Sequence, residues 1–308
     1  MACILFLIAD TPELEDGNAL RFSNYLLAAG HQVSIGLTDS LFMQDSRVMV
    51  RSFMVQERLL AGQSLPKLSA TDPGACDVLW VLSLGQRESF LDKIQILYNL
   101  NSQVRIINSL EGLMYFKSKY FLASNPDVFQ HPRTWASPDP EYLFQIMQSL
   151  GGKWIAKPPA GSLGRDVFLI DAADSNARAI LQNLTGWDQD RYCLLQEWVP
   201  EITQGEKRVL LAGGQPVGQY LRTAVQDHRT NVMQGASVSA CELTTEEMAL
   251  CRRLGAFLRQ HGVEYCGIDL AWPWVIEFNV INPGGLTTLA GLTGTDLTDK
   301  ILTQILAL

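Results

Sequence analysis

Two short segments of this chain concentrate residue types that could do chemistry. The first is Lys157 followed by Pro158-Pro159-Ala160-Gly161-Ser162-Leu163-Gly164-Arg165. A lysine ending an apolar stretch and followed by small residues suits a loop whose backbone N–H groups close over phosphates while the ammonium neutralises their charge. The same residues also suit an ordinary hairpin turn, and taken alone the loop leaves both readings open. The second segment is Asp269 with Glu277-x-Asn279. On a strand Glu277 and Asn279 face the same side, and a hairpin around Pro273-Trp274 brings Asp269 alongside them. Two carboxylates and an amide oxygen on one face suit Mg²⁺, which takes hard oxygen ligands and shares them with phosphates. The plain alternative is a solvated sheet face, weakened by Ile268, Leu270, Ile276, Phe278 and Val280, which make these strands strongly apolar.

Other chemistries lack their residues. Gly151-Gly152-Lys153 has neither the upstream glycine nor the following Ser or Thr of a Walker loop, and no Gly-x-Ser-x-Gly elbow occurs. No Gly-x-Gly-x-x-Gly follows the first apolar strand. The four histidines, His31, His131, His228 and His261, stand far apart and read as surface or loop residues, not metal ligands. With 24 basic against 32 acidic residues the net charge is −8, so there is no general electrostatic case for nucleic-acid binding. The six cysteines form no Cys-x-x-Cys pair and read as buried thiols in a reducing compartment. The opening residues lack a signal peptide's basic flank, and no apolar run reaches the roughly 18–20 residues of a membrane span. The expectation is a cytoplasmic protein with no membrane association.

Positioning elements can be read from periodicity. Ile4–Ile8 is a buried-strand run, Asn18–Ala29 has helical spacing closed by Gly30, and Val33–Leu37 is a second strand. A helix-leaning segment runs through Met54–Leu60, then come a strand at 77–82, a helix at 91–100 and a strand at 104–108. Such alternation predicts a doubly wound parallel sheet. Prolines 126, 132, 138 and 140 punctuate a connection. Beyond it, shorter strands are expected at 154–157, 167–170 and 193–196, followed by two strands around Gly213-Gly214 and a helix from Thr245 to His261 capped by Thr244 or Thr245. Trp198 and Trp272 read as packing residues. Singly, Arg208, Arg222 and Arg229 read as surface charges.

Taken together, Lys119, Lys157, the glycine loop, Gln196-Glu197-Trp198-Val199, Glu206-x-Arg208 and Asp269…Glu277-x-Asn279 fall in an order that resembles the ATP-grasp ligases. Within them the chain resembles the bacterial glutathione synthetase and ribosomal-protein-S6-modifying (RimK-type) group. The resemblance implies an α/β and α+β fold: an N-terminal doubly wound pre-ATP-grasp domain, 1–118, then two ATP-grasp subdomains, 119–195 (lid) and 196–308 (metal and catalytic). It implies that Lys119 and Lys157 contact ATP phosphates or the adenine edge, and that Gly161, Ser162 and Gly164 cover the triphosphate. Gln196, Glu197 and Val199 would form the adenine hinge, and Glu206 would hold the ribose. Asp269, Glu277 and Asn279 would bind two Mg²⁺ ions, with Mn²⁺ as the alternative. Arg208 and Arg222 would be catalytic, steadying the γ-phosphate and an acyl phosphate, with Arg229 and Asn231 nearby. Asn282, Gly284 and Gly285 would lie at a substrate carboxylate.

The activity implied is ATP-dependent joining of a carboxylate to an amine, with small-molecule or peptide substrates and a homo-oligomeric assembly. Within it, a γ-glutamylcysteine-type acid and a glycine-type amine lead, and addition of amino acids to a protein tail or metabolite comes second. A catalytically inactive ATP-binding sensor is the third reading. Three features depart from glutathione synthetase: the Gly161–Arg165 lid, Ser83-Leu84-Gly85-Gln86-Arg87 with only Arg87 basic, and Asn282-Pro283-Gly284-Gly285 in place of Ser-Pro-Thr.

Overall fold

The computed structural model describes residues 1–159, 166–224 and 235–306. The first sheet is built from β1 (Cys3–Ile8), β2 (Gln32–Leu37), β3 (Phe42–Gln44), β4 (Arg47–Met54), β5 (Ser69–Thr71), β6 (Val78–Val81) and β7 (Arg105–Ile107), with helices α1 (Asn18–Ala28) and α2 (Phe90–Tyr98). Strands β2, β1, β6 and β7 are parallel and adjacent, as the alternating strands and helices predict. The far edge differs from expectation, because β4 runs antiparallel to β2 and carries β3 and β5. Residues 47–54 alternate inward Val48, Val50 and Ser52 with exposed Arg47 and Arg51, a period of two that defines a strand. The helix expected through Met54–Leu60 does not form.

A short helix, α3 (Lys119–Ala123), leads to a second, antiparallel sheet. It comprises β8 (Thr134–Ser137), β9 (Lys153–Lys157), β10 (Phe168–Asp171) and β11 (Cys193–Glu197), in the order β10-β9-β11-β8. Helices α4 (Pro140–Leu150) and α5 (Ala177–Thr185) cover it, burying Leu143, Met147 and Leu181 against Trp154 and Leu195. The third sheet comprises β12 (Glu206–Ala212), β13 (Gln215–Thr223), β14 (Ser237–Ala240), β15 (Tyr265–Ala271) and β16 (Trp274–Asn279), ordered β14-β13-β12-β15-β16. Gly213 and Gly214 both take positive φ in the tight turn joining β12 to β13, a conformation this turn requires and glycine supplies without strain. Helix α6 (Thr245–Gln260) begins in a capping box between Thr244 and Glu247, and the chain continues through α7 (Leu286–Thr293) and α8 (Thr298–Leu306).

Period-two alternation gives the third sheet two unlike faces. Val209, Leu211, Cys266, Ile268, Leu270 and Phe278 bury against Leu250, Leu254 and Leu258 of α6. On the other face, Leu210, Ala212 and Tyr265 join the core beneath α1, α7 and α8. There Tyr265 stands edge-on to Trp80, with ring centroids 5.9 Å apart, and also meets Phe22. The first and third sheets therefore share one core. All six cysteines are free; Cys193, Cys251 and Cys266 are buried, and Cys3, Cys76 and Cys241 are half-buried. Trp272 is exposed at the tip of the β15–β16 hairpin and is not the packing residue expected. Among the described residues no helix is long and apolar enough to cross a membrane.

Asn108 secures the join between the first and third sheets. Its amide donates to the carbonyls of Tyr265 (2.7 Å) and Val280 (2.6 Å), and its oxygen accepts from the N–H groups of Glu264 and Tyr265. Asn108→Ala would leave these buried backbone groups without partners. It should lower the stability of the first unfolding transition in urea by about 3 kcal/mol or more.

Candidate active site

The third sheet turns a row of polar side chains to the end of the face that Tyr265 shares with the N-terminal core. In the antiparallel register Glu206 lies opposite Arg222, Arg208 opposite Asp269, Asp269 opposite Glu277, and Gly267 opposite Asn279. A bulge between Asp269 and Leu270 accommodates Ile276 as an extra residue, which leaves both Glu277 and Asn279 on this face. Register alone therefore gathers side chains from four strands.

Asp269 is at the centre and almost fully buried. Arg208 grips it through Nε (2.5 Å) and Nη2 (3.0 Å), and Arg222 reaches its Oδ1 at 2.8 Å. Arg222 also pairs with Glu206, and Asn279 donates to Asp269 Oδ2 at 3.2 Å. Burial opposes ionisation of Asp269, but the Arg208 and Arg222 guanidiniums outweigh it and hold the carboxyl below its ordinary range. For Glu206, burial prevails over the attraction of Arg222 and raises the carboxyl. Glu277, at the more open edge, accepts from Lys119 Nζ at 2.6 Å. Gly267 is the gap that admits the Arg208 side chain: a Cβ there would lie 3.1 Å from both Arg208 Cδ and Pro283 Cβ.

The second sheet contributes Lys157 and Gln196. The buried Lys157 ammonium donates to Gln196 Oε1 at 2.8 Å. Burial, helped by neighbouring Lys119, lowers its pKa to about 8. The Gln196 amide nitrogen contacts His131 Nε2 (2.9 Å) and Thr134 Oγ1 (3.1 Å). The Glu197 side chain turns outward to a two-pronged pair with Arg133, both contacts at 3.0 Å, and its backbone N–H serves the Arg133 carbonyl. Its N–H and carboxylate are thus already engaged.

The loop after β16 closes the site. Arg208 Nη1 holds the Gly284 carbonyl at 3.0 Å, and Asn18 at the start of α1 donates to Asn282 Oδ1 at 2.7 Å and to the Pro283 carbonyl. Gly285 has φ +133, and a Cβ there would meet the Tyr220 ring at 2.8 Å. Of the expected site residues, the structure brings together Lys119, Lys157, Gln196, Glu206, Arg208, Arg222, Asp269, Glu277, Asn279, Asn282 and Gly284. Gly161, Ser162, Gly164, Arg229 and Asn231 lie outside the described residues. Arg208 and Arg222 are buried, not surface charges.

Sequence reasoning missed Asn18, visible there only as a helix start, and it read His131 as a surface or loop residue without a role; it does lie in a loop, against Gln196 and Val275. His131 is half-buried, and burial lowers its pKa to about 4. Nothing in the local sequence signals either role, because both partners lie far along the chain.

The donor set suits a hard divalent cation: the Asp269 and Glu277 carboxylates and the Asn279 amide oxygen are neighbours on one face. Among the described residues no cluster of three or more His, Cys, Asp or Glu could hold a metal ion unaided.

Several solved structures share this architecture. A RimK-domain ATP-grasp protein from Sphaerobacter thermophilus superposes with a TM-score of 0.68 at 16% identity, covering 99% of this chain and 100% of that one. The ATP-grasp ligase PsnB, solved with its minimal precursor, gives 0.63 at 18% identity with 98% of each chain covered. D-cycloserine synthetase DcsG gives 0.66 at 12%, covering 97% of this chain and 99% of that one. Fold and site thus define the class: an ATP-dependent ligase of the ATP-grasp superfamily. The chain belongs to the prokaryotic glutathione synthetase ATP-grasp domain family, whose model matches residues 118–294. Its similarity extends further, being 27% identical to the glutathione synthetase of Mesorhizobium japonicum over 272 residues, 87% of this chain and 86% of that one.

Two outcomes follow from the geometry. Asp269 is so enclosed that Asp269→Asn would take from buried Arg208 its carboxylate partner, leave Arg222 with Glu206 alone, and cost about 3–5 kcal/mol of stability. Glu277, one-third exposed, is the cleaner probe. Glu277→Gln should leave the melting temperature within a few degrees yet reduce ATP turnover by at least about 100-fold. Separately, Lys157 is charged below pH 8 and neutral above. Affinity for Mg·ATP, measured calorimetrically, should be constant below that value and weaken as pH rises through it, and the alkaline limb should vanish in Lys157→Met.

Proposed function

We propose that the protein activates a peptide-type carboxylate with ATP and joins it to a small amine, with γ-glutamylcysteine-type acid and glycine-type amine as the leading pair. The carboxylate oxygen attacks the γ-phosphorus, ADP departs, and an acyl phosphate remains. The amine nitrogen then attacks the acyl carbon, the phosphate leaves and the nitrogen loses a proton. Every partner gathered before the amine arrives is anionic, so the site must supply positive charge where the phosphoryl group transfers.

The observation that carries this reading is Arg222. Its Nε–H is buried without a hydrogen-bond partner among the described residues, while its Nη2 is committed to Glu206 and Asp269. An oriented, unused donor on a guanidinium suits an incoming phosphoryl oxygen. Arg208, fixed by Asp269, aims its remaining nitrogen at the loop 282–285, where Gly284 faces open space and would admit a substrate carboxylate. Lys119 and Lys157 would take the nucleotide phosphates, and Glu206 the ribose. Gln196, Glu197 and Val199 would form the adenine hinge; since the N–H and carboxylate of Glu197 are engaged, the proposal leaves its carbonyl to adenine. Asp269, Glu277 and Asn279 would hold the divalent metal, two Mg²⁺ ions in the reading adopted here. Gly161, Ser162 and Gly164 would cover the triphosphate, with Arg229 and Asn231 at the acyl phosphate. The units 1–118, 119–195 and 196–308 would act as substrate domain, lid and metal subdomain.

A second reading, addition of amino acids to a protein tail or metabolite, is favoured by one feature. Asn282-Pro283-Gly284-Gly285 stands in place of Ser-Pro-Thr, and the open Gly284 leaves room for a larger acid. Phosphate release from Mg·ATP across a matrix of acids and amines decides between them. Release requiring both γ-glutamylcysteine and glycine, with the amide verified by mass, is the expected result. Release only with amino acids plus an acidic peptide would support the second reading. ATP binding with no release for any pair would point to a sensor.

A further inference from the structure

We propose that His131 is a positioning residue for the nucleotide site, holding the Lys157 ammonium in place through Gln196 and tying the second sheet to the third. The inference rests on the ligase reading, in which Lys157 meets ATP phosphates, and adds a residue which that reading does not use.

The hydrogen bonds admit one consistent set of protons. His131 Nδ1 lies 2.7 Å from the Val275 carbonyl, which can only accept, so Nδ1 carries the hydrogen. Lys157 can only donate, so the Gln196 atom it meets is the amide oxygen, which sends the Gln196 NH₂ to the opposite side. That NH₂ lies 2.9 Å from His131 Nε2, which must therefore be an acceptor. The chain runs Lys157 to Gln196, Gln196 to His131, and His131 to Val275, every donor matched to an acceptor, with the imidazole neutral. Burial disfavours the imidazolium, in keeping with that assignment.

The chain also bridges two bodies of structure. Lys157 and Gln196 lie on β9 and β11 of the second sheet, whereas Val275 lies on β16, an edge strand of the third. Gln130 accepts from the Val275 N–H at 2.9 Å, so residues 130 and 131 engage both polar groups of that edge residue. Val275 precedes Glu277 by two positions, and Glu277 holds Lys119. His131 therefore fixes the ammonium on one sheet relative to the carboxylates on the other. Among the described residues Gln196 Oε1 is the hydrogen-bond acceptor recorded for Lys157, which makes the orientation of that amide decisive.

Two substitutions separate the two bonds. Asn at 131 can imitate Nδ1–H and keep the Val275 bond while losing the acceptor for Gln196. Gln can imitate the Nε2 acceptor. Binding of Mg·ADP and Mg·AMPPNP to the full chain would be measured by calorimetry beside each variant's melting temperature. His131→Asn should weaken both nucleotides by about tenfold, and His131→Gln should stay within about threefold of the unsubstituted protein. Equal affinity for all three proteins would overturn the inference, as would Gln weakening binding as much as Asn. If the unsubstituted protein binds neither nucleotide, the ligase reading falls and this inference with it, so the two failures are distinguishable. Should His131→Asn not fold, nitrogen chemical shifts of the unsubstituted protein decide: a neutral Nδ1–H tautomer at pH 6 is expected, and an Nε2–H tautomer would overturn the proposal.

Discussion

A carboxylate cannot be buried without a partner, and Asp269 is buried with two. Much of the site follows from that constraint. Arg208 reaches Asp269 from the adjacent strand β12 and Arg222 from β13, one strand further, a convergence that depends on the register of β12 against β13 and β15. The Arg208 stem passes Gly267 of β15, where a Cβ would press on it at 3.1 Å. The second arginine must balance two acids at once, so Glu206 sits beside it. The cluster's own needs thus place the groups that face an incoming nucleotide.

This arrangement reconciles an acidic protein with anionic substrates. Glu206, Asp269 and Glu277 face Arg208, Arg222, Lys119 and Lys157, so positive charge holds a slight local excess within a chain of net charge −8. The cations are not equivalent. Arg208 and Arg222 are braced by buried carboxylates and keep their charge across the physiological range. Lys157 is tethered by a neutral amide, which offers little electrostatic compensation, and its proton is correspondingly looser.

The loop after β16 is held by long-range contacts. The loop 282–285 is held from one side by Arg208 and from the other by Asn18 of the N-terminal helix. Tyr265, four residues before Asp269 on the same strand, packs on Trp80 of the first sheet and Phe22 of α1. The N-terminal unit and the catalytic sheet are thereby joined through a common core. A change in the N-terminal unit can therefore reach the loop 282–285 through Asn18.

The sequence by itself determined the parallel β1-β2-β6-β7 core, the tight turn at Gly213-Gly214, a threonine cap at 244 or 245 and the shared face of Glu277 and Asn279. Those features follow from periodicity and local backbone preference, which neighbouring residues carry. The strand over 47–54 was legible in its alternation yet masked by the helix-leaning residues beside it. Only the tertiary structure decided that Arg208 and Arg222 converge on Asp269, that Glu197 turns away to Arg133, that His131 meets Gln196 and that Asn18 meets Asn282. Each of those depends on a partner brought close by strand register or sheet packing, and no local pattern encodes the separation. Whether a lone arginine or histidine is a surface charge or a buried anchor is settled by what the fold places opposite it.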